Sequence, residues 1–475
     1  MPSPSPFLPP AGPRALASLA LSVLLAAFGT SSVNVALPAL AAAFGASFAA
    51  VQWVVLAYLL AITTLVVGAG RLGDRLGRRR LLLAGLLLFV VASGLGGVAP
   101  NLGVLMAARA LQGFGAALML ALTMALVGET VPRARLGGAM GLLGTMSALG
   151  TALGPSLGGF ILGFAGWRAI VLFNVPLGLA ALLLARRHLP PDRPGPAGGV
   201  SAFDPAGTLL LALTLAAYTL AVTLGRGQWE TPHFLLLAAA TLGAVLFVRV
   251  ETRARQPLVS LSLFRDADLS ASLAVNAAVS TVMMATMVVG PFYLSLALGL
   301  PAAAVGLVLS AGPAVAALTG MPAGRLVDRW GTHRTALGGL AGMAAGAGLL
   351  ALRPADWSVA SYVASLAILT SGYALFHAAN NAAVMLRAGA ENRGVIAGLL
   401  NLSRNLGLVT GAAVLGAVFA AAVGTDALAT ASPAAVTGGL RVTFAVATVL
   451  IGAATAVLAT RGSRLARKEI FRWQA

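Results

Sequence analysis

The sequence has no cysteine, which excludes disulfide frameworks, thiolate metal sites and cysteine nucleophiles. Charge is almost as scarce. Only 9% of the residues are Asp, Glu, Lys or Arg, against about 25% in soluble domains, so this chain has too few to cover a water-facing surface. The 13 acids (Asp74, Glu129, Asp192, Asp204, Glu230, Glu251, Asp266, Asp268, Asp328, Asp356, Glu391, Asp426 and Glu469) all fall in loops or at the ends of apolar runs. Lysine occurs once, at Lys468. The four histidines, His188, His233, His333 and His377, have no metal-ligand spacing, and neither a phosphate loop nor a Ser/His/Asp constellation is present. We therefore expect no enzyme, no metal and no cofactor.

What the chain has in abundance is apolar sequence: 59% hydrophobic residues and a mean hydropathy of +0.93. Runs of about 18–30 residues suffice to cross the ~30 Å hydrocarbon core. Fourteen are expected, near 15–43, 50–69, 81–99, 102–130, 137–163, 167–185, 207–224, 234–250, 269–297, 302–322, 335–352, 359–386, 394–422 and 440–460. The first is too long for the core of a signal peptide and reads as a membrane helix.

Arginine sets the orientation. The net charge of +18 could suggest nucleic acid, but the basic residues sit in short loops between apolar runs. Of the 31, 25 lie in the loops after even-numbered spans or in the two ends of the chain. The opposite loops hold only Arg168, Arg226, Arg353 and Arg441, and Arg109 and Arg404 fall within spans. Cytoplasmic loops carry the excess of Lys and Arg, so both termini are expected in the cytoplasm of a bacterial-type cell, with the chain in its inner membrane and no nucleic-acid partner.

The chain also repeats itself. Gly70-Arg-Leu-Gly-Asp74-Arg75-Leu-Gly77 recurs 254 residues later as Gly324-Arg-Leu-Val-Asp328-Arg329-Trp-Gly331. Gly141–Gly150 recurs 257 residues later as Gly398–Gly407, and Gly154 and Gly159 then fall on Gly411 and Gly416. Spans 1–6 and 9–14 read as parallel repeats, with spans 7–8 inserted, and parallel halves place a binding site between them near the midplane. The expected divisions are a tail (1–14), a six-helix bundle (15–185), a linker (186–206), two inserted helices (207–250), a second linker (251–268), a second bundle (269–460) and a basic tail (461–475). The fold class is all-α and polytopic.

Several motifs carry physical content. Gly70 and Gly77 permit tight turns, and between them Asp74 can cap a helix or pair with Arg75 or Arg78. Orientation charge alone is the plainer reading, but the recurrence of an acid at Asp328, beside Arg329, favours a gate. Gly150, Gly154 and Gly158 recur every four residues and give span 5 a smooth face for close approach, and Pro155 permits a bend. Arg109 lies about two turns into span 4, where it needs a partner, a wet cavity or a reach to the surface. Thr30, Ser31 and Asn34 share one helix face, as do His377, Asn380 and Asn381, and Asn401, Arg404 and Asn405. Polar faces are disfavoured in lipid, so all three point inward, toward a cavity or as ties between helices.

These residues resemble the major facilitator superfamily, and within it the fourteen-helix drug:proton antiporter family. The likeness covers nearly the whole chain. It rests on Gly70-x3-Asp74-Arg75-x-Gly77-Arg78-Arg79-Arg80, Arg109-x2-Gln112-Gly113-x-Gly115 and Gly150-x3-Gly154-Pro155-x2-Gly158-Gly159. Smaller marks are Asn34-Val-Ala-Leu-Pro38, Gln52-Trp53 with Tyr58, Gly166-Trp167-Arg168, Asn174-Val-Pro176, and Pro257 ahead of Leu263-Phe264-Arg265. The resemblance implies a monomeric secondary transporter that exports small organic molecules or drugs by alternating access. Any uphill work would use an ion gradient, and protons as the coupling ion stay open. It also implies that Arg109 faces the cavity or assists coupling. The chain departs from the family at Gly29, where an Asp is usual, and at Ser295, where a Gln is usual. With no acid at midspan and with Arg109 and Arg404 present, a carrier of anionic or neutral metabolites, uncoupled or differently coupled, is the alternative. A non-transporting membrane sensor or scaffold is the third reading.

Overall fold

In hydrocarbon every backbone N–H and C=O must be paired within the protein, which leaves helices or closed barrels. The computed structural model of the chain is helical throughout its described residues, 13–131, 136–192, 204–224, 231–254, 261–353, 358–387, 393–424 and 431–473, with no strand among them. Arg133, Arg135, Arg193, Arg226, Pro257, Asp356, Glu391 and Asp426 lie outside the described residues.

The helices are α1 (Pro13–Ser31), α2 (Leu37–Phe44), α3 (Phe48–Leu76), α4 (Arg78–Gly97), α5 (Leu102–Thr130), α6 (Leu136–Leu172), α7 (Asn174–His188), α8 (Pro205–Thr223), α9 (Thr231–Arg253), α10 (Ala267–Phe292), α11 (Ala302–Leu352), α12 (Val359–Arg387), α13 (Arg393–Thr410), α14 (Gly416–Val423) and α15 (Pro433–Trp473). A 3-10 turn at Asn34–Ala36 joins α1 to α2, and π-helical turns at Tyr293–Ala297 and Gly411–Leu415 follow α10 and α13.

Among the described residues twelve helical stretches are long and apolar enough to cross a membrane. Two of them, Leu142–His188 with 47 residues and Ala302–Leu352 with 51, are more than twice the ~20 residues one crossing needs. Each contains one glycine outside the helical region, Gly166 (φ 77°) in α6 and Gly331 (φ 80°) in α11. The break at Gly331 is a sharp corner. Thr335 Oγ1 donates to the Leu326 carbonyl nine residues earlier at 3.3 Å, whereas nine residues of straight helix span roughly 13 Å.

Only glycine takes positive φ among the described residues, and the six that do fall into pairs. Gly45 and Gly299 are 254 residues apart, as are Gly77 and Gly331, and Gly166 and Gly424 are 258 apart. The chain thus turns by the same device at matching places in its first and last thirds.

Burial crosses this division. One apolar cluster is built from residues between Ala15 and Leu189 of α1, α3, α4, α5, α6 and α7. A second gathers α10–α15 together with one end of the first third: Val33 to Ala41 of the turn and α2, Phe48 to Leu59 of α3, Ala99, Leu105 of α5, and Trp167, Ile170 and Val171 of α6. The 207–250 insert forms an antiparallel pair, α8 on α9, and α8 also packs on α3. The basic tail expected over 461–475 continues as helix to Trp473.

Candidate functional site

Arg109 and the motif around it tie four helices together. The side chain is 1% exposed. Its Nε donates to the Val54 carbonyl of α3 at 3.1 Å, its Nη2 to the Gly29 carbonyl of α1 at 2.9 Å, and its Nη1 to Gln112 Oε1 one turn along α5. Gln112 Nε2 donates to Ser93 Oγ of α4 at 2.8 Å. The guanidinium lies over the Tyr58 ring, 4.2 Å from its centroid, and Tyr58 donates its hydroxyl to the Ala26 carbonyl at 2.8 Å. A buried cation is tolerated when its donors are satisfied. The glycines of the motif admit the partners: a Cβ on Gly113 would lie 2.5 Å from the Tyr58 carbonyl oxygen, and one on Gly115 2.7 Å from that of Gly85. The guanidinium thus sits between packed helices rather than at an open surface. Gly29, the position of the missing acid, is in direct hydrogen bond with it.

The smooth face of α6 meets two different partners. Gly150, Gly154 and Gly158 press on Leu24–Val35 of α1 and the turn after it, with Ser31 Oγ donating to the Gly150 carbonyl at 3.3 Å. Gly159 instead meets α11, where a Cβ would lie 2.8 Å from the Gly306 Cα. A Cβ on Gly306 would fall on the Pro155 carbonyl oxygen. In the last third, Gly407 and Gly411 of α13 and its π turn press on Ala277–Met284 of α10 in the same manner.

At the loop between α3 and α4 three arginines, Arg78, Arg79 and Arg80, open a helix whose N-cap is Gly77. Cations at the positive end of a helix are unfavourable, and glycine supplies no capping side chain. Asp74 and Asp192 answer both defects. Asp74 Oδ1 accepts from Arg78 Nε and Nη2 at 2.9 and 2.7 Å. Asp192, beyond the end of α7, accepts from the Arg79 and Arg80 amides at 2.7 and 3.0 Å, capping α4 from 113 residues away. Gly77, at φ 96°, leaves the room that the Asp192 carboxylate fills. Arg79 Nη2 also donates to the Arg186 carbonyl at 2.7 Å. Asp192 carried no local sequence signal, although the uncapped triple arginine was a sign that an acid must come from elsewhere. Gly70, expected at a turn, instead lies inside α3, half-buried with open space where a side chain would be, so Gly77 alone turns the chain; Arg75 is exposed, and in the repeat Asp328 and Arg329 are exposed on α11 just before Gly331.

The three polar stripes have different fates. Asn34 is buried in the 3-10 turn, where its Nδ2 donates to the Thr30 carbonyl at 3.3 Å. On α12, His377 is half-buried, stacks on Tyr373 at 5.4 Å and shares a hydrogen bond with Asn381 at 3.1 Å. Asn380, on the same stripe, is 4% exposed. On α13, Asn401 is exposed, while Arg404 and Asn405 are half-buried. His377, Asn381 and Arg404 lie on adjoining helices, with Arg404 near enough to act electrostatically on His377. Arg109, held among α1, α3 and α5, is not among them.

Comparisons with known proteins agree on one family. The model for the Major Facilitator Superfamily matches residues 19–412. The chain is 32% identical to the uncharacterized transporter YebQ of Escherichia coli (strain K12) over 84% of its own length and 88% of that protein's. It is 31% identical to the multidrug resistance protein Stp of Mycobacterium tuberculosis over 82% and 72% of the two chains. Among solved structures, a bacterial homolog of the human lysosomal transporter Spinster, in its inward-facing unoccupied conformation, superposes with a TM-score of 0.68 at 15% identity, over 94% of this chain and 97% of that one. With the helical architecture and the loop and span motifs already described, these matches establish that the chain belongs to the major facilitator superfamily of membrane transporters.

Proposed function

We propose that the chain is a secondary active exporter of small organic molecules that works by alternating access between its first and last six-helix bundles. The observation that carries the proposal is the contact of α6 with α11, where Gly159, Gly306 and the Pro155 carbonyl meet with no side chain between them. Such a contact joins the bundles at one end and can part without unthreading side chains. Fourteen crossings, with both ends of the chain cytoplasmic, follow if the long elements broken at Gly166 and Gly331 each cross twice. The matching positive-φ glycines support two repeats, with 207–250 inserted. Asp74, Arg75, Arg78, Asp328 and Arg329 then mark the cytoplasmic gates, and the sealed end is the outer one. His377, Asn381, Arg404 and Asn405 are the residues assigned to the substrate path.

A second reading of the cargo has its own observation. Every described acid lies near a helix end, in a loop or, for Asp328, beside the break in α11 at Gly331, and the site of the usual acid is occupied by Gly29, whose carbonyl already accepts from Arg109. Anionic, zwitterionic or neutral molecules are therefore favoured over lipophilic cations. The test is flux of paired anionic and cationic dyes into proteoliposomes under an imposed pH gradient, for wild type and Gly29→Asp. Cation flux gained only in Gly29→Asp supports this cargo. Strong cation flux by wild type rejects it.

A further inference from the structure

Besides the packing of α2 and the 3-10 turn on α10, the two bundles meet at the sealed end in two seams related by the repeat, and the two are chemically unequal. Applying the 254-residue offset of the second helices and the 257-residue offset of the fifth ones, Gly306 of α11 corresponds to Gln52 of α3. Likewise Ala412 corresponds to Pro155, and Gly416 to Gly159. The structure pairs these residues accordingly. In one seam the Pro155 carbonyl and Gly159 of α6 face Gly306, backbone against backbone. In the other seam the Ala412 carbonyl and Gly416 face Gln52, and the Gln52 amide donates to the Ala412 carbonyl. Gln52 is 1% exposed, and Gly416 must lack a Cβ because the amide occupies that space.

Two further features lie only on the Gln52 side. Ala412 belongs to the π-helical turn Gly411–Leu415, whereas α6 is α-helical at Pro155. Such single turns are frequent at functional sites. The inserted helix α8 bridges the seam. Trp53 Nε1 donates to Thr223 Oγ1 at 3.1 Å, and Tyr218 donates its hydroxyl to Thr410 Oγ1, just before the π turn, at 3.4 Å. A ring cluster of Phe48, Phe292 and Phe419, with centroids 4.9–6.4 Å apart, closes the same seam toward its end.

We propose that Gln52 is a one-sided latch: its hydrogen bond to Ala412 holds the outer end shut, while the glycine seam at Gly159 and Gly306 serves as the pivot about which the bundles part. A buried amide bonded to a carbonyl must lose that bond, or trade it for water, when the seam opens. A glycine contact loses only dispersion, which changes gradually with separation. Full opening of the outer end is therefore gated at the Gln52 seam. The inserted pair, by holding both α3 and the π turn, limits how far it goes. The latch rests on the alternating-access reading above.

The test is a distance measurement on the full chain in nanodiscs. Nitroxide labels are placed on cysteines replacing Ala43 and Ala434, both exposed at this end in opposite bundles; the native chain supplies no competing thiol. Pulsed dipolar spectroscopy without substrate reads the open and shut populations. Gln52→Leu is expected to raise the ratio of open to shut about fivefold, the value of one net hydrogen bond, and Trp53→Phe less. Gln52→Met, of similar length and without a donor, repeats the test should the leucine variant fold poorly. Unchanged distributions in both Gln52 variants, or a larger shift in Trp53→Phe, would overturn the latch. Dye flux by wild type is scored separately, so a failed carrier reading is distinguishable from a failed latch.

Discussion

At the scale of single residues, Arg109 acts as a brace. Its Nε, Nη1 and Nη2 each donate once, to carbonyls of two other helices and to Gln112 of its own, with Tyr58 beneath, so both shape and charge are used. Lysine offers a point charge without the planar fork and cannot reach all three acceptors at once. Arg109→Lys should therefore lower stability by about 2–3 kcal/mol, the value of one or two hydrogen bonds to a charged group. The measurement is thermal unfolding of the purified protein, and a wild-type melting profile would contradict the bracing role. The need for a partner was legible in the sequence, since an arginine within an apolar span must be satisfied. The partners themselves were not. Two are backbone carbonyls, which no side-chain pattern announces.

At the scale of elements, the clamp on α4 is the most specific device. Asp192 caps α4 from beyond α7, and with the Asp74–Arg78 pair it fixes the loop on which the cytoplasmic gate is proposed to turn. Asp192→Asn keeps the shape and one acceptor oxygen but loses the charge, and so should loosen the loop by roughly 1 kcal/mol. Faster hydrogen exchange at residues 78–81 than in wild type is the expected result, and unchanged exchange would remove Asp192 from the gate. The apolar runs were legible as helices because hydropathy and length decide that in a bilayer. The breaks within them were not. The run at 15–43 turns through a 3-10 segment at Asn34–Ala36, and that at 394–422 carries the π turn at Gly411–Leu415. Spans 10 and 11 join as α11 because only Gly331 leaves the helical region. Such breaks depend on which neighbour each residue meets, and local composition does not record that.

At the scale of the whole molecule, orientation and movement are the two remaining claims. Cysteine mapping tests orientation, and exposure decides the probes. Leu76 is exposed at the loop between α3 and α4, and Ala43 at the opposite end. In intact cells, cysteine at Leu76 should resist an impermeant thiol reagent while cysteine at Ala43 reacts; the reverse would invert the topology. The proposed polar path was only partly legible. Helical spacing placed His377, Asn380 and Asn381 on one stripe, but spacing does not set depth, and Asn380 is buried while its two neighbours are half-buried. The central claim is that this chain carries organic molecules across the membrane by moving one bundle against the other. Gradient-driven flux by purified protein in liposomes, scored over a panel of anionic, neutral and cationic dyes, tests it most directly. The account predicts saturable flux of at least one anionic or neutral dye, abolished when the gradient is collapsed. Correctly folded protein that moves none of them under any gradient would contradict it.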